Sequence, residues 1–429
     1  MKRLLTKLRR KNFLLYSLIF FLALAIFKIN VLVAATSSID KTLDQLRILT
    51  EVFDYIQQNY VTEKSTKDLV YGAAHGMVRT LDPFSQFLEP EPHKEMQTET
   101  EGQFGGLGIR IEMRDDILTV MTPIMDTPAY RAGILPGDRI VKIEGESTQN
   151  LNLQDAVKKL RGQPGTSVKI TIVHENAKEP IDLTLVREVI KIDSVRSRML
   201  DSKVGYIQLT EFTSKTDVDM LRVLNKMQSQ GMDSVVMDLR NNPGGLLNVA
   251  VNVSKAFLDG NKMIVYTEGR KADRVEYKSD SKAPFPSLPI VVLVNGGSAS
   301  GSEIVAGALQ DHQRALILGT TTFGKASVQS VIPLSDGSGL RLTTAKYYTP
   351  AGRRIQRDEK TGKGGIVPDV LIEVSRETEI KLRRQQDEII GKDRTPQSVI
   401  KKDEQVEAVV LKRAVEFLKI RNLVLPQKT

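Results

Sequence analysis

The chain has no cysteine and no tryptophan, and only four of its 429 residues are histidine. Without cysteine there is no disulfide framework, thiolate metal site, Cys nucleophile or lipid-modified cysteine. His75, His93, His174 and His312 are widely scattered and fit no H-E-x-x-H or similar spacing, so neither a metal nor a cofactor is expected. Aromatic residues make up 5% and do not interleave with basic ones as in RNA-binding surfaces. The net charge of +9 is modest for this length, and its bases are mixed with acids, so nucleic acid is not an expected partner.

What is present is ordered along the chain. Residues 1–12 carry Lys2, Arg3, Lys7, Arg9, Arg10 and Lys11 and no acid, and residues 13–27 are almost entirely apolar. After Lys28 and Asn30, Val31 to Ala35 resumes and ends on small residues, the pattern of a secretory signal. The uninterrupted run is short for a spanning helix, so residues 1–35 read as a signal peptide or an uncleaved membrane anchor. Either way the basic start stays cytoplasmic and the remainder is exported, giving a periplasmic protein, soluble or held at the inner membrane. Residues 36–100 form an N-terminal helical region, with Leu43, Leu46, Leu49, Phe53, Ile56 and Tyr60 at spacings of three and four and a second helix over 67–80. It serves equally well as a packing module or a dimerisation arm. Residues 101–188 read as a small β-rich domain with one helix, Leu153 to Leu160. Residues 189–375 alternate strands and helices as an α/β core does. Residues 376–429 are a charged tail, with a helix over Val406 to Leu418 whose positions 406, 410, 414 and 417 share an apolar face.

Within the core, Leu293 to Gln329 stands apart. A β-rich run ends in Gly296-Gly297, Ser298, Ser300 and Ser302 follow at alternate positions, and a small-residue helical pattern runs from Glu303 to about Gln310. A second apolar run, Ala315 to Leu318, precedes Phe323-Gly324-Lys325. A serine at a strand-to-helix junction lies near backbone N–H groups that no helical carbonyl satisfies, and such donors can hold an oxyanion. A lysine between apolar segments, here including Phe323 and Val328, can lose its proton and act as a base. The plainer reading of these residues is an N-cap serine and a solvated lysine. The S-x-S-x-S pattern is not a G-x-S-x-G elbow. His312 would lie about 18 Å from Ser300 along a helix, too far to be its partner.

Ser-Ala-Ser-x-Ser-Glu, Phe-Gly-Lys and Val-Gln together resemble the carboxyl-terminal processing, or tail-specific, proteases. The resemblance implies a serine endopeptidase with Ser300 as nucleophile, Lys325 as general base and Gln329 orienting the lysine. Gly301 stands where the family commonly has Ala, and Ala326-Ser327 replaces a Gly-Thr-like pair; small residues are kept in both. Asp-Leu-Arg-Asn-Asn-Pro-Gly-Gly at 238–245 resembles a second signature that supplies an oxyanion donor, which would come from Gly244 or Gly245 beside that of Gly301. The stretch 76–88, GMVRTLDPFSQFL, is also typical of the family; by its residues it is a helix stopped near Asp82-Pro83. Residues 101–188 resemble a PDZ domain, implying a groove for a free C-terminus built from Gly106, Leu107, Gly108, Ile109, Val157 and Leu160. The implied architecture is multidomain α/β: N-terminal helices, a PDZ domain ahead of a crotonase-like core, and a helical tail. Partners would be proteins or peptides with free C-termini. A homodimer or higher homo-oligomer and an activating partner protein stay open. The alternative is a non-catalytic PDZ adaptor presenting protein tails, which needs none of Ser300, Lys325, Gln329 or the Gly244-Gly245 turn.

Overall fold

The computed structural model describes residues 43–374, except 115–116, 125, 136, 150, 175–178, 192, 201–202, 271–273 and 359, together with 378 and 408–424. The leader or anchor expected over 1–35 and nearly all of the charged stretch 376–395 lie outside the described residues. Among the described residues, no helix is long and apolar enough to cross a membrane.

The chain divides into two units after Thr80. The first holds a helix over 43–59 and the helix Thr66–Arg79, whose N-cap Ser65 accepts a hydrogen bond from the Asp68 N–H at 3.0 Å. The expected stripe is helical but not buried: Leu43, Leu46, Leu49 and Tyr60 are between 45% and 57% exposed.

The second unit begins at Leu81. The helical region expected to reach residue 100 is interrupted there. Gln86–Leu88 forms a strand paired with Gly339–Leu340–Arg341, and only Pro90–Thr100 returns to helix. The β-rich domain follows. Its sheet runs Ile109–Arg114, Ile117–Pro123, Arg139–Ile143, Ser167–Val173, Ile181–Val186, all antiparallel, with helix Leu153–Leu160 packed on it. Val168, Ile170 and Ile172 alternate inward along one strand and meet Leu107, Leu118, Ile134 and Ile140 in the domain's own core. Ile109–Arg114 is an edge of this sheet. A two-stranded ribbon, Gln103–Gly106 with Glu188–Lys191, carries the chain into and out of the domain.

The α/β core is built on a six-stranded sheet ordered Val195–Met199, Val204–Leu209, Ser234–Asp238, Ile290–Val294, Leu316–Gly319, Val370–Leu371; all but the first strand are parallel. Its central strands are continuous apolar runs because both faces are covered. Leu209, Val235, Met237, Val292, Val294 and Ile317 pack with helices Thr216–Ser229, Leu247–Lys255 and Gly301–Asp311. Their neighbours Val236, Val291, Leu293 and Leu318 turn to the opposite face, against Val410, Leu411, Ala414 and Leu418. The tail helix thus runs Val409–Val424 and buries 410, 411, 414 and 418, whereas Phe417, expected on that face, is 37% exposed. A second, antiparallel sheet joins Gln86–Leu88, Gly339–Tyr348, Met263–Gly269 and Val275–Lys278, with Ser327–Pro333 on the other side of Gly339–Tyr348. Loops leaving three adjacent parallel strands at their C-terminal ends hold Gly244, Ser300 and Lys325, the end at which open α/β sheets place their ligands.

Candidate active site

The three alternate serines have different fates. Ser298 donates from Oγ to the Leu239 carbonyl at 2.8 Å and accepts from the Asn295 N–H at 3.0 Å. Ser302 Oγ donates to the Asn242 carbonyl at 3.0 Å, and both serines are fully buried. They tie this loop to the loop after the neighbouring strand. Ser300, between them, is the N-cap residue of Gly301–Asp311 and stands in a capping-box arrangement with Glu303, whose N–H bonds the Ser300 carbonyl at 2.9 Å. Its backbone, at φ 52° and ψ −109°, is one that L-residues rarely adopt. Such a conformation costs on the order of 1–3 kcal/mol and persists only where the surroundings enforce it.

The enforcing group is Glu303, which is fully buried. Its Oε2 accepts from the Ser300 N–H at 2.8 Å and the Lys325 N–H at 2.9 Å; its Oε1 accepts from the Gly324 N–H at 2.7 Å and Thr322 Oγ1 at 2.6 Å. Two N–H groups sharing one oxygen at these distances lie within ~6 Å of each other, so one carboxylate fixes the serine and lysine backbones together. Burial pushes the Glu303 carboxyl above its ordinary value, while the bonds from Thr322, Lys325, Gly324 and Ser300 pull it back. The hydroxyl of fully buried Tyr347 reaches the Ser300 carbonyl at 3.2 Å and also bonds the Lys325 carbonyl.

The Lys325 side chain is half-buried. Burial first, then Arg341, pushes its amine below the ordinary lysine value, against Asp82 and Glu303, which pull it up. The expected apolar wall at Phe323 is not there: Phe323 is 47% exposed. The aromatic ring beside the amine belongs instead to Phe84, its centroid 4.6 Å from Nζ. Gln329 Nε2 donates to the Phe84 carbonyl at 2.7 Å rather than engaging the lysine amine. Among the described residues, no hydrogen bond joins Ser300 Oγ to Lys325 Nζ. His312, at the far end of the helix, bonds the Met263 carbonyl at 2.6 Å.

The glycine turn completes the site. Asn242 donates from Nδ2 to the Leu209 carbonyl at 2.9 Å and accepts the Gly244 N–H on Oδ1 at 2.9 Å. Gly244 has φ +102°, and a Cβ there would lie 2.7 Å from Ser300 Cβ and 2.8 Å from the Gly301 nitrogen. Glycine at 244 therefore leaves open the space in front of the first N–H of the helix. Of the two N–H groups expected from this turn, that of Gly244 is already bonded, whereas among the described residues no acceptor takes that of Gly245. Beneath the turn, Arg240 forks onto fully buried Asp238, with Nε to Oδ1 at 2.9 Å and Nη2 to Oδ2 at 2.6 Å, and Tyr206 donates to Oδ2 at 2.7 Å. Burial works against the Arg240 charge, but the Asp238 carboxylate more than offsets it.

Gly106, Leu107, Gly108, Ile109, Val157 and Leu160 all line one cavity of about 510 Å³. Gly108 has φ +74°, and a Cβ there would sit 2.3 Å from Thr127 Cβ, so the loop requires glycine. The cavity's opposite wall is core: Arg196, Gln208, Glu211, and Arg240 and Asn241 of the glycine turn.

Sequence reasoning missed four parts of this constellation. Glu303 had a visible signal, an acid three residues after an N-cap serine, the spacing of a capping box. Asp82 and Phe84 showed only as a helix stop, and Tyr347 only as a strand residue.

Comparison with known proteins agrees with this layout. Residues 203–372 match peptidase family S41, residues 119–173 a PDZ domain, and residues 25–92 the N-terminal domain of the activating protease CtpB. A carboxy-terminal-processing protease of Bartonella bacilliformis is 42% identical over 365 residues, covering 83% of this chain and 82% of its own. A carboxyl-terminal-processing protease of Synechocystis sp. is 37% identical over 338 residues, covering 76% and 77%. A solved photosystem II D1 C-terminal processing protease is 31% identical, with a TM-score of 0.48 over 76% of this chain and 92% of that one.

Proposed function

The chain belongs to the carboxy-terminal processing proteases of peptidase family S41, serine peptidases acting on proteins, and from that premise we propose a Ser300/Lys325 endopeptidase that cleaves exported proteins near their C-termini. The observation that carries it is the Glu303 carboxylate, which binds the backbone N–H groups of both residues. An adaptor has no use for a strained serine whose backbone is tied through one buried carboxylate to that of a half-buried lysine.

In this reading the substrate's tail enters the groove as an added strand beside Ile109–Arg114, its terminal carboxylate taking the N–H groups around Leu107, Gly108 and Ile109. Ser300 Oγ then attacks the scissile carbonyl carbon as its proton moves to the neutral Lys325 amine, and the carbonyl π-electrons shift to oxygen. The Gly301 and Gly245 N–H groups receive that oxyanion; one such donor is typically worth about 2.7–4 kcal/mol. Lys325 returns the proton to the leaving amine as the C–N bond breaks, and water resolves the acyl-enzyme by the reverse sequence. Export through residues 1–35, with the enzyme periplasmic or anchored, is part of the proposal. So are self-association and activation by a partner, the latter supported by the match of residues 25–92 to the N-terminal domain of the activating protease CtpB.

The test is cleavage of an unfolded protein with a free C-terminus by the exported chain. Ser300→Ala abolishes turnover and retains tail binding. Lys325→Arg is as inactive as Lys325→Ala, because arginine stays protonated. His312→Ala remains active. Near-normal turnover by Lys325→Arg would make the lysine a structural cation and end the mechanism.

A further inference from the structure

The turn Asp82–Pro83–Phe84–Ser85 is more than the end of a helix. Asp82 Oδ1 accepts from the Phe84 and Ser85 N–H groups at 2.8 and 2.9 Å, and its Oδ2 accepts from Ser85 Oγ at 2.8 Å. Ser85 Oγ in turn accepts from the Thr343 N–H at 3.1 Å, locking the turn onto strand Gly339–Tyr348. The Phe84 carbonyl takes two side-chain donors from the core, Gln329 Nε2 at 2.7 Å and Arg341 Nε at 3.2 Å. Phe84 makes three of these six hydrogen bonds and the other three hold its turn in place, while the Lys325 amine lies over its ring, 4.6 Å from the centroid.

We infer that Phe84 is part of the general base: its ring keeps water from the Lys325 amine and stabilises the ammonium formed when that amine takes the Ser300 proton. Gln329 is then a positioning residue that acts on the lysine through Phe84. The inference rests on the Ser300/Lys325 reading. The two effects of the ring oppose each other in the resting enzyme. Excluding water favours the neutral amine, and the negative ring face favours the cation. They cooperate in turnover, where a dry amine must become a cation without waiting for solvent to reorganise. The other charges facing the amine are Arg341 on the adjoining strand, Asp82 in the turn and Glu303 on the helix; Arg341 favours the neutral form and both acids the charged one.

Removing the two effects separately gives opposite signs. Phe84→Leu keeps an apolar cover without a ring face: the acid limb of kcat/KM moves to lower pH while the plateau falls roughly two- to thirtyfold, the range of a cation–π contact. Phe84→Ala admits water: the limb moves to higher pH, toward ordinary lysine behaviour. Phe84→Tyr keeps the ring and restores both limb and plateau. These profiles are measured on the full chain with a fluorogenic peptide bearing a free C-terminus. The Lys325 titration is read independently of turnover by NMR of 13C-labelled lysine in a Ser300→Ala background, with Lys325→Arg for assignment. Displacement in opposite directions by Leu and Ala supports the inference. No displacement, or displacement in one direction by both, overturns it while leaving the dyad intact. A fully active Lys325→Arg enzyme overturns the dyad itself.

Discussion

Replacing Glu303 by Gln is the sharpest probe of how the site is held. The change keeps the shape of the side chain and turns one accepting oxygen into an NH2 group, a donor where donors already converge. If the NH2 lies at the Oε2 position, it faces the Ser300 and Lys325 N–H groups, and both lose their acceptor. In the other rotamer it faces the Gly324 N–H and Thr322 Oγ1. At least one buried N–H is orphaned either way, at about 1–3 kcal/mol each. The thermal midpoint is expected to fall by roughly 2–10 °C for a unit of this size. The kinetic loss is larger, about hundredfold in kcat, because an ångström of misplacement at a reacting pair costs that much. The pH dependence carries a sign. Burial raises Glu303 in the folded chain, so the wild type is favoured most below the ordinary carboxylate value and loses that advantage as pH rises through the raised one. The stability gap between wild type and Glu303→Gln therefore narrows with rising pH across that window. Stopped-flow cleavage assays and calorimetric melts at a series of pH values measure both. A Glu303→Gln enzyme with wild-type kcat would refute the view that one carboxylate sets the geometry of the pair.

Gly244→Ala places a methyl group against Ser300 Cβ and the Gly301 nitrogen, so kcat is expected to drop by at least a hundredfold, with tail affinity unchanged in a binding titration. If the tail carboxylate is held by the Leu107–Ile109 loop, amidating a peptide's C-terminus removes a charge-assisted acceptor and weakens binding about tenfold or more by fluorescence anisotropy; equal binding of acid and amide would rule that pocket out.

Much of this was legible from residue patterns because the patterns were local. The β-rich run before Gly296 is the buried strand Ile290–Val294, and the small-residue pattern after Ser300 lies in the helix Gly301–Asp311. The β-rich segment 101–188 is the antiparallel sheet domain, whose core residues Val168, Ile170 and Ile172 were not singled out from the sequence. The surroundings of Lys325 were not legible, because they are assembled across the chain. Phe84 reaches the amine from 241 residues upstream only because Gln86–Leu88 pairs with Gly339–Leu340–Arg341. Phe323, two residues before the lysine, looked like its wall but faces outward, its N–H bonded to the Ser298 carbonyl. Sequence proximity misled there because strand pairing decides which ring covers an amine. The strand Val275–Lys278 gave no signal for a similar reason: its pairing with Met263–Gly269 is an edge contact without an apolar run of its own.

The ribbon formed by Gln103–Gly106 and Glu188–Lys191 has an evolutionary and engineering consequence. Paired antiparallel strands lie about 4.8 Å apart, so the whole PDZ domain hangs from two adjacent points of the chain. A turn of two to five residues would close that gap as an ordinary hairpin. The domain can therefore be deleted or exchanged for a relative with another groove, and the α/β core meets no new chain path. If that domain selects protein tails as proposed, such a graft would transplant the choice of tail separately from the machinery that cuts it. New substrate repertoires become reachable by recombination at one ribbon instead of by remodelling a catalytic centre.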